Sequence, residues 1–150
     1  MRPRRGTTFL ACAVTAVVLT GLSPAVAAGE PADDTPTTPI ITTVPEVPAP
    51  AGRMTFVDNP AIVDSHPQGI ESWNRLPDDH AVAVQFTTGT PECFGVHVEV
   101  QETTDIVAVK LRSGTLPEAV GRACTMIAVF GTVTAALQTP VGDRAVVSIT

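Results

Sequence analysis

The sequence predicts a mainly β fold, a small antiparallel β-sandwich or sheet with one short helical turn and one disulfide. Apolar residues make up 44% of the chain and aromatic residues only 4%, and Val and Ala supply most of the apolar content. Val suits a pleated, half-buried surface. Several segments alternate apolar and polar residues with a period of two, which is typical of strands with one buried face.

Residues 1–28 have the pattern of a cleavable signal peptide. Three arginines precede an apolar run over residues 9–19, and small residues follow at 23–28. An uncleaved membrane anchor is the alternative, but the apolar run is shorter than the ~20 residues that span a bilayer. We therefore expect a secreted protein, extracellular or associated with the cell envelope, with no stable membrane anchor after cleavage.

The charge balance argues against nucleic acid as a partner. The chain has a formal net charge of −6, from 9 basic and 15 acidic residues. Cleavage after residue 28 removes three arginines and no acid, leaving 6 bases against 15 acids and a net charge of −9. Such an acidic chain lacks the basic patch of nucleic-acid-binding proteins, and it is not attracted to anionic lipid.

Residues 29–52 are predicted to be a proline-rich linker. Six prolines punctuate this segment, and proline fixes φ and removes a hydrogen-bond donor, which favours polyproline II over packed structure. A semi-rigid spacer and a leader without function are both consistent with this composition. Ile40, Ile41 and Val44 could dock locally through their apolar side chains.

Residues 53–150 are predicted to form the disulfide-linked β domain. Its first expected element is a short strand at 54–57. Two segments, 58–60 and 65–69, have the composition of turns. Trp73 and Leu76 follow as apolar anchors.

Three alternating segments give the strongest strand prediction. In each segment the apolar positions share one face. These positions are 82, 84 and 86 in the first segment, 96, 98 and 100 in the second, and 107, 109 and 111 in the third. The second and third segments are separated by a polar stretch at 102–105, which predicts a hairpin. The remaining predicted elements are a helical turn at 115–120, a second hairpin with strands 126–130 and 133–137 joined at Gly131-Thr132, and a last strand at 145–149.

Cys93 and Cys124 are expected to form a structural disulfide. They are the only cysteines after the signal peptide, and exported proteins meet an oxidising environment. A pair of free redox thiols is the alternative. The chain has no Cys-x-x-Cys, and the Glu92 carboxylate would raise the pKa of the Cys93 thiol.

The search for chemical motifs yields no catalytic residue, no metal site and no cofactor. His97 and Glu99 share a strand face with the spacing of a zinc deaminase motif, but its Pro-Cys-x-x-Cys partner is missing. A solvated strand face, with Lys110 opposite His97, is the alternative interpretation. The polar candidates worth locating in a structure are His80, His97, Glu99 and Asp143.

Six segments carry a resemblance to known proteins. They are Ser72-Trp73, Thr88 to Val96, Glu102-Thr103, Gly114 to Pro117, Ala123 to Met126, and Pro140 to Arg144. These segments resemble a family of small actinobacterial secreted proteins and lipoproteins whose domain has no assigned function. The resemblance covers about residues 54–149 and implies a disulfide-linked β domain. It implies no catalytic residues. Many relatives have a lipobox, which this chain lacks.

Three functions remain open at this point. The leading hypothesis is an exported, non-enzymatic binding module whose partner is an extracellular or envelope protein, a glycan or a small molecule. The second is a secreted hydrolase of envelope material, which would need separated polar residues to converge in a pocket. The third is a structural component of the cell envelope.

Overall fold

The computed structural model describes residues 38–150. The expected signal peptide and residues 29–37 of the expected linker lie outside the described residues. Within 38–150 the chain forms nine strands and one 3-10 turn. They are β1 (Ile41–Thr43), β2 (Met54–Phe56), β3 (Val63–Gln68), β4 (Ser72–Arg75), β5 (Ala81–Thr88), β6 (Phe94–Glu102), β7 (Ile106–Thr115), the 3-10 turn (Pro117–Ala119), β8 (Val129–Ala136) and β9 (Ala145–Ile149).

The strands form two sheets. In sheet A, β7 is central, with β6 on one side and both β9 and β3 on the other, and β1 extends the sheet beyond β9. In sheet B the order is β2-β8-β5-β4. Two of the pairings, β2 with β8 and β7 with β9, are parallel, and the others are antiparallel.

One hydrophobic core lies between the two sheets. Sheet A contributes the buried side of β7, and sheet B contributes the buried sides of β5 and β8. Phe56 and Phe86 meet edge to face in this core, with ring centroids 5.4 Å apart. The mainly β fold class predicted from the sequence is therefore confirmed.

The alternating segments form strands as predicted. Val107, Val109 and Leu111 are fully buried, as the alternation requires. The β6–β7 hairpin pairs Phe94 with Thr115 at one end and Glu102 with Val107 at the other. The predicted last strand and the single short helical turn are also present.

The predicted hairpin at Gly131-Thr132 is wrong, because β8 runs through both residues without a turn. Gly131 faces the core, where an added Cβ would lie 2.6 Å from Phe86 Cε2 and 3.0 Å from Phe56 Cε2. The glycine is therefore a site of close aromatic packing against a strand, which is one of the established uses of glycine within a strand. Local sequence cannot distinguish this use from a turn.

The segment 65–69, predicted to be a turn, instead supplies most of β3. It tolerates Pro67 because β3 is paired only with β7 and leaves its other side free. Proline lacks a backbone donor and is accepted on such edge strands, where it also discourages further strand pairing.

Part of the segment expected to be a linker belongs to the fold. Residues 41–43 pair with β9, and Val44 is buried in the core. The indole nitrogen of Trp73 donates to the Val44 carbonyl at 3.1 Å, and the Trp73 backbone bonds to Pro45 and Val47. The chain uses apolar Val44 and unpaired strand edges to fix a proline-rich segment in place.

Residues 48–53 connect the two edges of sheet B, because residues 45–47 lie beside β4 at one edge and β2 lies at the other edge. We call residues 44–53 the N-terminal strap. Arg53 at its end pairs with Glu71 at 3.5 Å and lies over the Phe130 ring. Gln85, on the outer face of sheet B, is 0% exposed.

Gln85 is held by a small polar network on this outer face. Its amide nitrogen donates to Asn74 Oδ1 at 2.7 Å and to the Ala83 carbonyl, and its amide oxygen accepts from Ser72 Oγ at 3.0 Å. A buried amide is tolerated only when its donors and acceptors are paired.

One end of the sandwich is closed by an ion pair between Glu102 and Arg144 at 2.8 Å. Arg144 also bonds the carbonyls of Thr139 and Pro140, which fixes the β8–β9 connection. Burial opposes the charged form of Glu102. Hydrogen bonds from the Gln138 amide, Arg144 and Thr139 outweigh that effect and lower the pKa of Glu102 to about 2.

Candidate binding groove

The opposite end of the sandwich contains a groove of about 370 Å³, which we call the open-end groove. It lies where β3, β5, β6 and β7 approach the segment that precedes β8. Its lining residues are His66, Gln68, Thr87, Thr88, Gly89, Phe94, Ser113, Met126, Ile127 and Ala128.

The floor of the groove is a pair of hydroxyl groups that joins the two sheets. Ser113 on β7 is 1% exposed and faces the space between the sheets. Its Oγ lies 2.8 Å from Thr88 Oγ1 on β5 and 3.5 Å from the Gly95 carbonyl. These contacts satisfy polar groups at the point where the apolar core ends, so the floor can be polar without an energetic penalty.

A β-bulge turns two polar side chains of β3 towards the groove. Val63 pairs with Thr115 and His66 pairs with Ser113, so β3 has one more residue than β7 over this stretch. Without the extra residue, Ser65 would lie opposite Ser113. With the extra residue, the side chains of His66 and Gln68 face the groove, because one inserted residue exchanges the two faces of a strand.

The bulge is fixed by its neighbours on β7. Asp64 has a positive φ of 51°, a conformation that Asp tolerates better than most residues. Arg112 donates to Ser65 Oγ at 3.0 Å and to the Ser65 carbonyl at 2.6 Å. An added Cβ at Gly114 would lie 2.6 Å from the Val63 carbonyl oxygen, so the glycine makes room for the bulged backbone.

The apolar side of the groove comes from Phe94 and from residues 126–128. The Phe94 ring lies against Gly89, where a Cβ would overlap it. Met126 and Ile127 are 87% and 59% exposed, although both are large apolar residues. Exposed apolar side chains that line a concave surface are typical of binding sites.

The disulfide holds this apolar side in place. Cys93 and Cys124 are bonded, with their Cα atoms 6.1 Å apart, which confirms the predicted pairing. Residues 123–128 contain no strand or helix, and Cys124 links them covalently to the residue just before β6. The covalent bond therefore ties the segment that carries Met126 and Ile127 to the start of β6, where Phe94 lies.

The groove lining carries no carboxylate, ammonium or guanidinium group. Its polar groups are hydroxyls, one amide and one imidazole. Within residues 38–150 the His66 ring makes no side-chain hydrogen bond, so both ring nitrogens remain open to a ligand. The groove is thus suited to neutral hydrogen bonding.

Two of the four polar candidates from the sequence come together outside the groove. His97 and Glu99 lie on the outer face of β6, with His97 Nε2 and Glu99 Oε1 3.7 Å apart. His97 Nδ1 contacts Asp58 Oδ1 at 2.9 Å, and Lys110 pairs with Glu99 rather than lying opposite His97. Both histidine nitrogens face carboxylates, so the group forms a surface charge network.

The other two candidates lie in connections at the closed end. His80 lies in the β4–β5 turn, and its carbonyl accepts from the Leu137 amide. Asp143 is exposed in the turn that precedes β9. Neither residue lines the open-end groove. In the described part of the chain no group of three His, Cys, Asp or Glu residues is arranged to hold a metal ion.

Sequence reasoning missed the residues that line the groove. It placed His66 only within the predicted turn at 65–69. The available signal was the apolar pair Met126-Ile127 shortly after Cys124, since apolar residues close to a disulfide suggest a fixed surface. The inward direction of His66 depends on the bulge, which has no local sequence signature.

No protein-family model, curated protein or solved structure matches the chain at a significant level. Over residues 38–150 no helix is long and apolar enough to cross a membrane. The disulfide is compatible with an extracellular location.

Proposed function

We propose that the protein is an exported, non-enzymatic binding module of the extracellular space or cell envelope, and that the open-end groove is its binding site. The observation that carries this proposal is the groove itself. It joins an apolar wall at Phe94 and residues 126–127 to a few convergent polar groups. That combination is the usual composition of a ligand site, and its volume lies within the usual range of about 300–1,000 Å³.

Export is supported by two independent features. Residues 1–28 have the order of charge, apolar run and small residues that signal peptides share. The Cys93–Cys124 disulfide fits the oxidising compartment that such a peptide leads to. The resemblance to actinobacterial secreted proteins stays a prediction alongside them.

A binding role is favoured over hydrolysis by the surroundings of Ser113. A catalytic serine needs a base within hydrogen-bonding distance of its hydroxyl. Ser113 Oγ instead contacts Thr88 and the Gly95 carbonyl. His66 lies opposite Ser113 in the strand register, but no hydrogen bond joins their side chains within the described residues.

The experiment is to recover the exported chain from its host and to identify retained molecules by mass spectrometry after mild denaturation. The test variant is Ala128→Trp, which fills the groove from its rim. The control is Val120→Trp, on the same connection but outside the lining. We expect retention to fall at least tenfold in Ala128→Trp and to be unchanged in Val120→Trp. Equal retention by both variants would contradict the assignment of the groove.

A further inference from the structure

Resting on the proposed function, we infer that the open-end groove selects a small uncharged ligand with an apolar body and one hydrogen-bonding head group, such as an amide or an alcohol. Three properties of the groove favour such a ligand: the absence of Asp, Glu, Lys and Arg from its lining, the separation of its polar and apolar groups, and its volume.

The lining offers no permanently charged side chain that could pair with a charged head group. A buried charge without an opposite partner loses its hydration and gains little in return. None of the ten lining residues is Asp, Glu, Lys or Arg. An amide or alcohol costs less to desolvate and can exchange hydrogen bonds with neutral donors and acceptors.

Because of the strand pairing, the polar side chains of β3 and the apolar Phe94 of β6 lie on opposite sides of the groove. β7 lies between β3 and β6, so His66 and Phe94 flank the Ser113 floor from opposite sides. Met126 and Ile127 add to the apolar part of the lining. A ligand bound across this floor would have its apolar body against Phe94 and its head group towards His66 and Gln68.

The volume sets the size of the ligand. At about 370 Å³, the groove lies near the lower end of the range for small-molecule sites, roughly 300–1,000 Å³. A single ring with one head group fits this space better than an extended polymer. The polar groups that would meet the head are side chains of β3, whose position the bulge and Arg112 fix.

A matched set of probes tests the inference directly. Benzamide, benzyl alcohol, benzoate and benzylammonium share a ring and differ in the charge of the head group. Each is titrated into the isotope-labelled chain, and amide chemical shifts report the site and the dissociation constant. We expect the two neutral probes to shift groove resonances, with dissociation constants at least tenfold lower than those of the charged probes.

The outcomes separate this inference from the proposed function. If a charged probe binds the groove as well as the neutral ones or better, the neutral selectivity is contradicted and the groove remains a binding site. If no probe shifts groove resonances, or the shifts lie elsewhere, both statements are contradicted.

A substitution pair tests the role of the head group. Gln68→Leu should raise the dissociation constant of benzamide at least threefold and leave that of toluene unchanged, because toluene has no head group. Gln101→Leu, an exposed position on β6 outside the lining, is the control and should change neither value. Equal losses for benzamide and toluene in Gln68→Leu would show that the amide only fills space, which contradicts the inference.

Discussion

Ser148 is the one buried side chain in the described residues whose polar atom has no hydrogen-bond partner. It lies on β9 opposite Val109, a core residue, and is 4% exposed. A buried hydroxyl without a partner keeps its desolvation cost, about 1–3 kcal/mol. The fold tolerates this cost at a position where alanine would fit the same space.

Ser148→Ala should therefore stabilise the protein. We expect the free energy of unfolding in urea to rise by about 1 kcal/mol, since the unpaired hydroxyl is removed and little volume is lost. Ser72→Ala is the matched control with the opposite sign, because Ser72 Oγ donates to buried Gln85. A decrease in stability for Ser148→Ala would show that its hydroxyl has a partner.

Glu102 should make the stability of the protein depend on acid pH. Its pKa is lowered from 4.5 to about 2 in the folded chain. Because the pKa is lower in the folded chain, the unfolded chain binds this proton at a higher pH. The stabilising contribution of the Glu102 carboxylate is therefore complete above about pH 4.5 and is lost as the pH falls towards 2. Glu102→Gln removes the charge and keeps the shape.

Thermal midpoints of wild type and Glu102→Gln, measured from pH 7 to pH 2, should differ most at neutral pH. The difference should shrink between about pH 4.5 and 2, where the wild-type carboxylate becomes protonated. Glu118→Gln, at an exposed position of the 3-10 turn, controls for a general charge effect. If the thermal midpoints of the two proteins differed by the same amount at every pH, the Glu102–Arg144 ion pair would not be the source of the difference.

At the scale of elements, alternation alone predicted β5, β6 and β7, because alternate residues of each strand are apolar. It failed where a tertiary contact decides the local structure. Gly131 was assigned to a turn, but two phenylalanine rings pack on it within a strand. The bulge at Asp64 exchanges the faces of β3, so the groove residues cannot be identified without the pairing to β7.

The N-terminal strap gives the clearest test at this scale. If residues 29–52 were only a linker, Val44→Ala would have no effect on stability. Because Val44 is buried in the core, we expect a loss of roughly 1–3 kcal/mol in the free energy of unfolding. Val57→Ala, at an 81% exposed valine, is the control and should be neutral. Equal values for the two variants would contradict the packed position of the strap.

At the scale of the whole molecule, the two ends of the sandwich are fixed differently. The closed end is held by the Glu102–Arg144 pair and the carbonyls that Arg144 bonds, whereas the open end is held by the disulfide. The disulfide was predicted from the compartment, but its position beside a groove was not, because that position depends on how the two sheets meet.

Replacing both Cys93 and Cys124 by Ser should lower the free energy of unfolding by about 3–4 kcal/mol, on the chain-entropy estimate for a loop of this length. The bridge closes a sequence separation of 31 residues. Urea unfolding measures the loss, and far-ultraviolet circular dichroism at low urea checks that the sheets persist. An unchanged midpoint would mean that the disulfide adds no stability to the fold.

A neutral ligand that binds the open-end groove as proposed would lie between the β3 side chains and the apolar wall. Intermolecular nuclear Overhauser effects from bound benzamide measure this position. We expect contacts from the ring protons to Phe94 and to the methyl groups of Met126 and Ile127. Contacts only with Pro48 and Ala49, in the cavity beside the N-terminal strap, would contradict it.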